Sequence, residues 1–201
     1  MRVAKDFTTQ VAIVGGGPVG LVLALYLDFY GVKTTLFNTE EHARWHPKGN
    51  GQNARTMEHY RQLGFSDDVR RLGLPGDHPF DQAYFTRLCA HEIYRFPMPS
   101  RDERIAMRRQ MPGTDQLPEP MFHVNQMYVE RYLLERARTM PNIDVRFGWQ
   151  VQWFTQDETA VTLHARKGDG SQAANWIAPY AVACDGGRSF IRKTLGISYE
   201  G

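Results

Sequence analysis

Cysteine is scarce in this chain: Cys89 and Cys184 are the only two, far apart and without the paired spacing of a metal site. A disulfide framework and a cysteine-built zinc centre are thereby excluded as organising devices, and a reduced cytosolic thiol state is expected. An excess of either charge is also missing. The 24 Lys and Arg against 22 Asp and Glu leave a formal net charge of +2, too small to imply a nucleic-acid or membrane partner. Long apolar runs are absent too. The run "LVLALYL" (21–27) follows Arg2 and Lys5 but is preceded by a glycine triplet and Pro18 and ended by Asp28. It is too short to span a bilayer, and no small-residue cleavage pattern follows it, so it reads as a buried helix of a cytoplasmic protein. Internal repeats and low-complexity segments are missing as well. Of the seven histidines, His42 and His46 flank the only suggestive spot and lack a third ligand at helical spacing, so no metal is expected.

What is present begins with a phosphate-cradle pattern. Residues 10–14, "QVAIV", form an apolar run suited to a strand buried on both faces. From Pro18, acceptable in a helical first turn, the pattern turns helical, with Leu21, Leu25 and Phe29 expected on one face and Gly31 as the C-terminal cap. "KTTLF" (33–37) then reads as a second strand, giving a β-α-β unit with parallel strands. Between strand and helix lies Gly15-x-Gly17-x-x-Gly20. Gly15 permits the tight turn, Gly17 lets backbone approach a pyrophosphate, and Gly20 lets the helix pack close to the sheet. The helix N-terminus, at Pro18 and Val19, offers N–H groups and a partial positive charge. A ribose-binding acid is due at the end of the second strand; the sequence has Asn38 there, with Glu40 and Glu41 beyond.

Further along, a helix is expected over "ARTMEHYRQLG", stopped by Gly64, and short strands at "QAYFT" and "HEIYRF" within an irregular, proline-rich stretch from 74 to 120. A helix follows at 126–139, striped by Val129, Leu133, Leu134 and Ala137. Strands are expected at 143–147, 149–154 and 160–165, and across "NWIAPYAVAC". Trp149 and Trp153, four apart, are expected to share a core-facing side. Arg101, Arg104, Arg108 and Arg109, interrupted by Asp102 and Glu103, read as a solvated face. The final strand delivers Asp185 to the carboxyl edge of the sheet, where open α/β sheets bind ligands, and Gly186 and Gly187 allow a sharp turn there.

The cradle alone fits NAD, NADP or FAD. Short-chain dehydrogenases need a Tyr-x-x-x-Lys pair, which is missing, and Val19 stands where a GxGxG methyltransferase would have glycine. Four ordered stretches, "VAIVGGGPVGLVLALYL", "HPKGNGQNARTMEHYRQLG", "HVNQMYVERYLLERA" and "ACDGGRSFIRKTLGI", give the chain its resemblance to the class A flavoprotein monooxygenases. These are aromatic-ring hydroxylases of para-hydroxybenzoate and phenol hydroxylase type, and the hydroxyphenylpropionate and polyketide hydroxylase branch looks most similar.

The resemblance implies an α/β fold: a Rossmann-like βαβ FAD-binding domain with a partial mixed or antiparallel substrate-domain sheet. It implies FAD at Gly15, Gly17, Pro18, Val19 and Gly20, with Asn38 where the family has Glu and Lys48 where it has Arg. Lysine there keeps the charge but loses the bidentate fork. Arg55 and Gln126 match cofactor-proximal positions, and Asp185 and Gly186 match the family's DG motif. No catalytic acid or base is implied. The expected organisation is an FAD-binding domain over 1–75 and 121–201 with a substrate-domain segment over 76–120 inserted.

The implied chemistry uses NAD(P)H as co-substrate, O2 and a small aromatic substrate, through a flavin C4a-hydroperoxide. A homodimer through regions the chain lacks is compatible with this. Relatives use a later Gly-Asp segment and further strands, so the 201-residue chain is expected to be part of a longer enzyme, to bind FAD weakly or not at all, and not to hydroxylate by itself. The alternatives are a non-oxygenating FAD- or NAD(P)-dependent oxidoreductase and a stand-alone nucleotide-binding module.

Overall fold

The computed structural model describes residues 8–46, 48–111 and 119–200. In chain order they form β1 (Val11–Val14), α1 (Pro18–Phe29), β2 (Thr34–Asn38), β3 (Gly51–Gln52), α2 (Ala54–Gln62) and α3 (Ser66–Arg71). Next come β4 (Gln82–Phe85), β5 (Glu92–Phe96), α4 (Arg101–Arg109), β6 (Phe122–His123) and α5 (Gln126–Thr139). The chain closes with β7 (Ile143–Phe147), β8 (Trp149–Gln156), β9 (Val161–Lys167), β10 (Ala173–Ala178), β11 (Tyr180–Ala183) and α6 (Phe190–Thr194). Two compact units result: Met1–Pro47 with Met127–Gly201, and Lys48–Gln126. The stretch 76–120 falls inside the second unit, and residues 48–75, grouped by sequence with the cofactor domain, cluster there too.

The first unit has the expected α/β architecture. Its parallel sheet runs β11-β1-β2-β7, with Val11 opposite both Tyr180 and Thr34 and Thr34 opposite Ile143. All four residues of β1 and the first four of β2 are buried, as a doubly covered parallel strand demands. Pro18 opens α1 at its first turn, Tyr30 caps it, and Gly31 follows at φ 72°, the left-handed position glycine takes at no steric cost. The buried stripe of α1 is Gly20, Leu21, Ala24 and Leu25. Phe29, expected on that stripe, is 59% exposed. Eight residues at 3.6 per turn rotate it about 80° from Leu21, and it meets the edge of Tyr30 instead.

A three-stranded antiparallel sheet, β10-β9-β8, packs on the parallel one. Ala12, Val14 and Phe37 from one sheet meet Trp149, Val151, Leu163, Ala165, Trp176 and Ala178 from the other. Trp176 anchors this layer, with its ring edge-on to Phe37 at 4.9 Å and to Trp149 at 5.2 Å. Burying each such side chain is worth about 2 kcal/mol or more.

The apolar strand expected at 180–184 is β11, and "NWIAPYAVAC" also holds the end of β10: Pro179 has no N–H for a ladder, and the chain changes sheets across it. One strand expectation is corrected: Trp153 does not share the core side with Trp149. A bulge shifts the β8–β9 register between Val151 and Trp153, the extra residue breaks the two-residue alternation, and Trp153 ends 51% exposed. It stacks on His164 at 3.2 Å between ring centroids.

In the second unit β4 pairs with β5 and β3 with β6, both antiparallel. The arginine-rich stretch at 101–109, read from sequence as a solvated face in an irregular region, is a helix. Ser100 Oγ accepts from the Glu103 N–H at 3.2 Å and the Glu103 carboxylate accepts from the Ser100 N–H at 2.7 Å, a reciprocal capping box. Ser100→Ala is expected to destabilise α4 by about 1 kcal/mol, read as faster amide exchange confined to residues 101–109.

Candidate cofactor site: the glycine turn and the Asp185 edge

The carboxyl ends of β1, β2 and β11 meet at one edge of the parallel sheet. The Cys184 N–H donates to the Val14 carbonyl at 2.7 Å, and the Gly15 N–H donates to the Phe37 carbonyl at 2.8 Å. Gly15 sits at φ 114°, and a Cβ there would fall on the Cys184 carbonyl. Only glycine serves both demands. A Cβ on Gly20 would fall on the Gly15 carbonyl oxygen, so its absence sets how closely α1 approaches the strand. Gly17 differs: its φ is an unstrained −75°, and nothing lies within 4 Å of where a Cβ would be. Its bare backbone therefore faces open space at the first turn of α1, where no side chain caps the helix and N–H groups lack intrahelical partners. Pro18 occupies the first helical position, and Val19 is 70% exposed beside it.

Asp185 closes the other side. Its Oδ2 accepts from the Phe190 and Ile191 N–H groups at 2.7 and 3.3 Å, tying down the turn into α6. Its Oδ1 is buried and has no hydrogen-bond partner among the described residues. A buried acceptor without a donor is costly, so an incoming hydroxyl or N–H is worth more here than on open surface. Gly186 takes φ 79° and its carbonyl accepts from the Ser189 N–H at 2.9 Å. Between these edges lies a cavity of about 560 Å³, bordered by Gly15, Asn38, Glu40, Arg44, Gln150 and Asp185.

Of the residues singled out in the sequence, Gly15, Asn38 and Asp185 border this cavity; Gly17, Pro18, Val19 and Gly20 continue the glycine turn into α1, and Gly186 follows Asp185. Lys48, Arg55 and Gln126 belong to the second unit. Lys48 is exposed in a bend. Arg55 lies on the exposed face of α2 and pairs with Glu58 at 2.5 Å. Gln126 opens α5 half-buried, its N–H donating to the Gly49 carbonyl at 2.9 Å.

Two contributors escaped the sequence reading. Gly16 packs so tightly that a Cβ would lie 2.6 Å from the Phe147 ring and 2.7 Å from the Asn38 Cβ. The glycine triplet was the signal for it. Arg44 reaches the cavity from an irregular loop, where no periodicity marks it.

Cys184 stands beside the site, but burial, helped by the neighbouring Asp185 charge, pushes its thiol above the usual range. Iodoacetamide at pH 8 is expected to label the exposed Cys89 well before Cys184, as followed by peptide mass spectrometry.

Known proteins share the sequence and fold of this chain. The model of the FAD binding domain family matches residues 8–201. FAD-dependent monooxygenase apdD of Emericella nidulans is 36% identical over 95% of this chain and 31% of its own length. The 3-(3-hydroxy-phenyl)propionate/3-hydroxycinnamic acid hydroxylase of Escherichia coli is 29% identical over 98% of this chain and 32% of its own. The chain thus spans about a third of the length of these relatives. Among solved structures, the flavin-dependent monooxygenase PieE in complex with FAD and substrate superposes with a TM-score of 0.85 at 28% identity, over 98% of this chain and 34% of PieE. No helix among the described residues is long and apolar enough to cross a membrane. By its motifs, its cradle and a match running from residue 8 to residue 201, the chain belongs to the FAD binding domain family.

Proposed function

We propose that this chain supplies the adenosine–pyrophosphate end of an FAD site and, within a protein of its relatives' length, serves NAD(P)H- and O2-dependent hydroxylation of a small aromatic substrate. The observation that carries the reading is the cavity at the carboxyl edge of the parallel sheet, bordered by both Gly15 and Asp185, with the uncapped first turn of α1 beginning two residues after Gly15. Those features fit a ligand with a diphosphate and hydroxyl groups. The open first turn of α1 receives the anion through N–H groups and the helix dipole. The Asp185 carboxylate accepts from a ligand hydroxyl, and Arg44 adds positive charge at the cavity rim. FAD, when bound, supplies the redox and oxygen chemistry; the protein binds, orients and excludes water.

The 76–120 segment of the second unit, with its β4–β5 hairpin, is assigned to the substrate side. Lys48, Arg55 and Gln126 are assigned to the cofactor's flavin side.

Competition binding tests this division. FAD added to the chain is expected to be displaced by ADP and not by FMN, as read by flavin fluorescence. Displacement by FMN alone would overturn the assignment of the adenosine end. Stoichiometric, tightly held FAD with NADPH oxidation by the chain alone would overturn the need for the remaining length.

A further inference from the structure

A dinucleotide fold ordinarily presents an acid to the adenosine ribose at the end of its second strand. Asn38 stands there, and both ends of its carboxamide are engaged within the chain. Oδ1 accepts from the Gly16 N–H at 3.1 Å, and Nδ2 donates to the Glu40 carbonyl at 3.1 Å. The same carbonyl accepts from the Gly148 N–H at 2.9 Å. One side chain therefore ties the glycine turn to the loop after β2, and that loop is tied in turn to the residue after β7. A carboxylate at position 38 accepts from Gly16 but has no hydrogen for Glu40, leaving two oxygens face to face. Alanine does neither. The bond pair is thus a property of the amide, and it accounts for a residue that departs from the usual acid.

We infer that Asn38 is the positioning residue of the cradle: it locks the Gly15–Gly17 turn and the 39–41 loop in place, and discrimination of the ribose hydroxyls resides elsewhere on the cavity wall. The first half stands on the bonds themselves; the second rests on the cofactor reading.

The test combines amide exchange, measured residue by residue on the ligand-free chain, with titrations of ADP and 2′-deoxy-ADP. In Asn38→Ala, exchange at Gly16 is expected to rise about five- to tenfold, the worth of its one lost hydrogen bond, and exchange at Gly148 to rise less, because its bond to the Glu40 carbonyl survives and only the loop that carries this carbonyl is loosened. Asn38→Asp separates the two bonds: at neutral pH Gly16 stays protected and Gly148 alone exchanges faster. Both nucleotides are expected to bind Asn38→Ala more weakly by the same factor, so their affinity ratio matches the wild type's. Unchanged exchange at Gly16 in Asn38→Ala overturns the lock. A ratio that collapses to one, from a wild type that distinguishes the two, makes Asn38 a ribose ligand and overturns the second half. A wild-type chain that binds neither nucleotide overturns the second half for this chain, and exchange at Gly16 and Gly148 then decides the positioning role by itself.

Discussion

Gly20→Val is expected to lower the stability of the folded chain by about 3 kcal/mol, the upper range for overpacking a close contact, and the melting temperature by roughly 10 °C for a domain of this size. The Cβ of any residue at 20 would fall on the Gly15 carbonyl and lie 3.3 Å from the Cys184 Cβ. The obstruction is backbone, not the far end of a movable side chain, so α1 itself must retreat from the strand. That retreat withdraws Leu21 and Ala24, both fully buried, from their packing. Cofactor affinity falls in the same variant, but as a consequence of the displaced helix. Thermal unfolding followed by circular dichroism measures the effect; a melting temperature within a degree or two of wild type would mean that α1 is not held against Gly15.

Gly17→Val is expected to do the opposite: keep the fold and lose the ligand. Position 17 has an extended backbone that any residue adopts, and open space where the side chain would go. The fold loses only the difference between glycine and valine as a helix N-cap, about 1 kcal/mol. The diphosphate loses its approach to the first-turn N–H groups. Each charge-assisted hydrogen bond forfeited is worth about 1.5–3 kcal/mol, so affinity for FAD or ADP is expected to drop by roughly two orders of magnitude. Isothermal titration against wild type, beside a melting curve, separates the two effects. Retained affinity in a well-folded Gly17→Val chain would place the diphosphate elsewhere. The contrast between positions 17 and 20 is the sharpest consequence of the cradle, because two glycines of one motif fail in different ways.

Much of the first unit was legible because its signals are local. The run "VAIV", the three glycines and Pro18 specify β1, the turn and α1 within ten residues, and α5 carries an apolar stripe long enough to fix both its ends at 126 and 139. Asp185 at a sheet edge was legible for the same reason, since an apolar strand broken by Asp-Gly has one place to go.

What escaped depended on partners distant in sequence. The bulge at residue 152 is set by the pairing of β8 with β9, and it turned Trp153 outward against a clean alternation. Pro179 was visible, but not that the chain changes sheets across it. Asn38 was recognised as a departure, while its bonds to Gly16 and Glu40 depend on a turn 22 residues upstream. The helix α4 is a different case, because "SRDE" is a capping-box signature and was there to be used.

The turn at Gly15–Gly20 and the Asp185 edge are expected to respond to a nucleotide together, as two walls of one site. Titrating ADP into the isotope-labelled chain, with amide resonances followed by NMR, tests it most directly and detects even weak binding. Gly15, Gly17, Val19, Asp185 and Gly186 are expected to shift together along one saturation curve, and the other four to stay still in Gly17→Val. Shifts confined to the second unit, or a first unit silent at millimolar ADP, would contradict it.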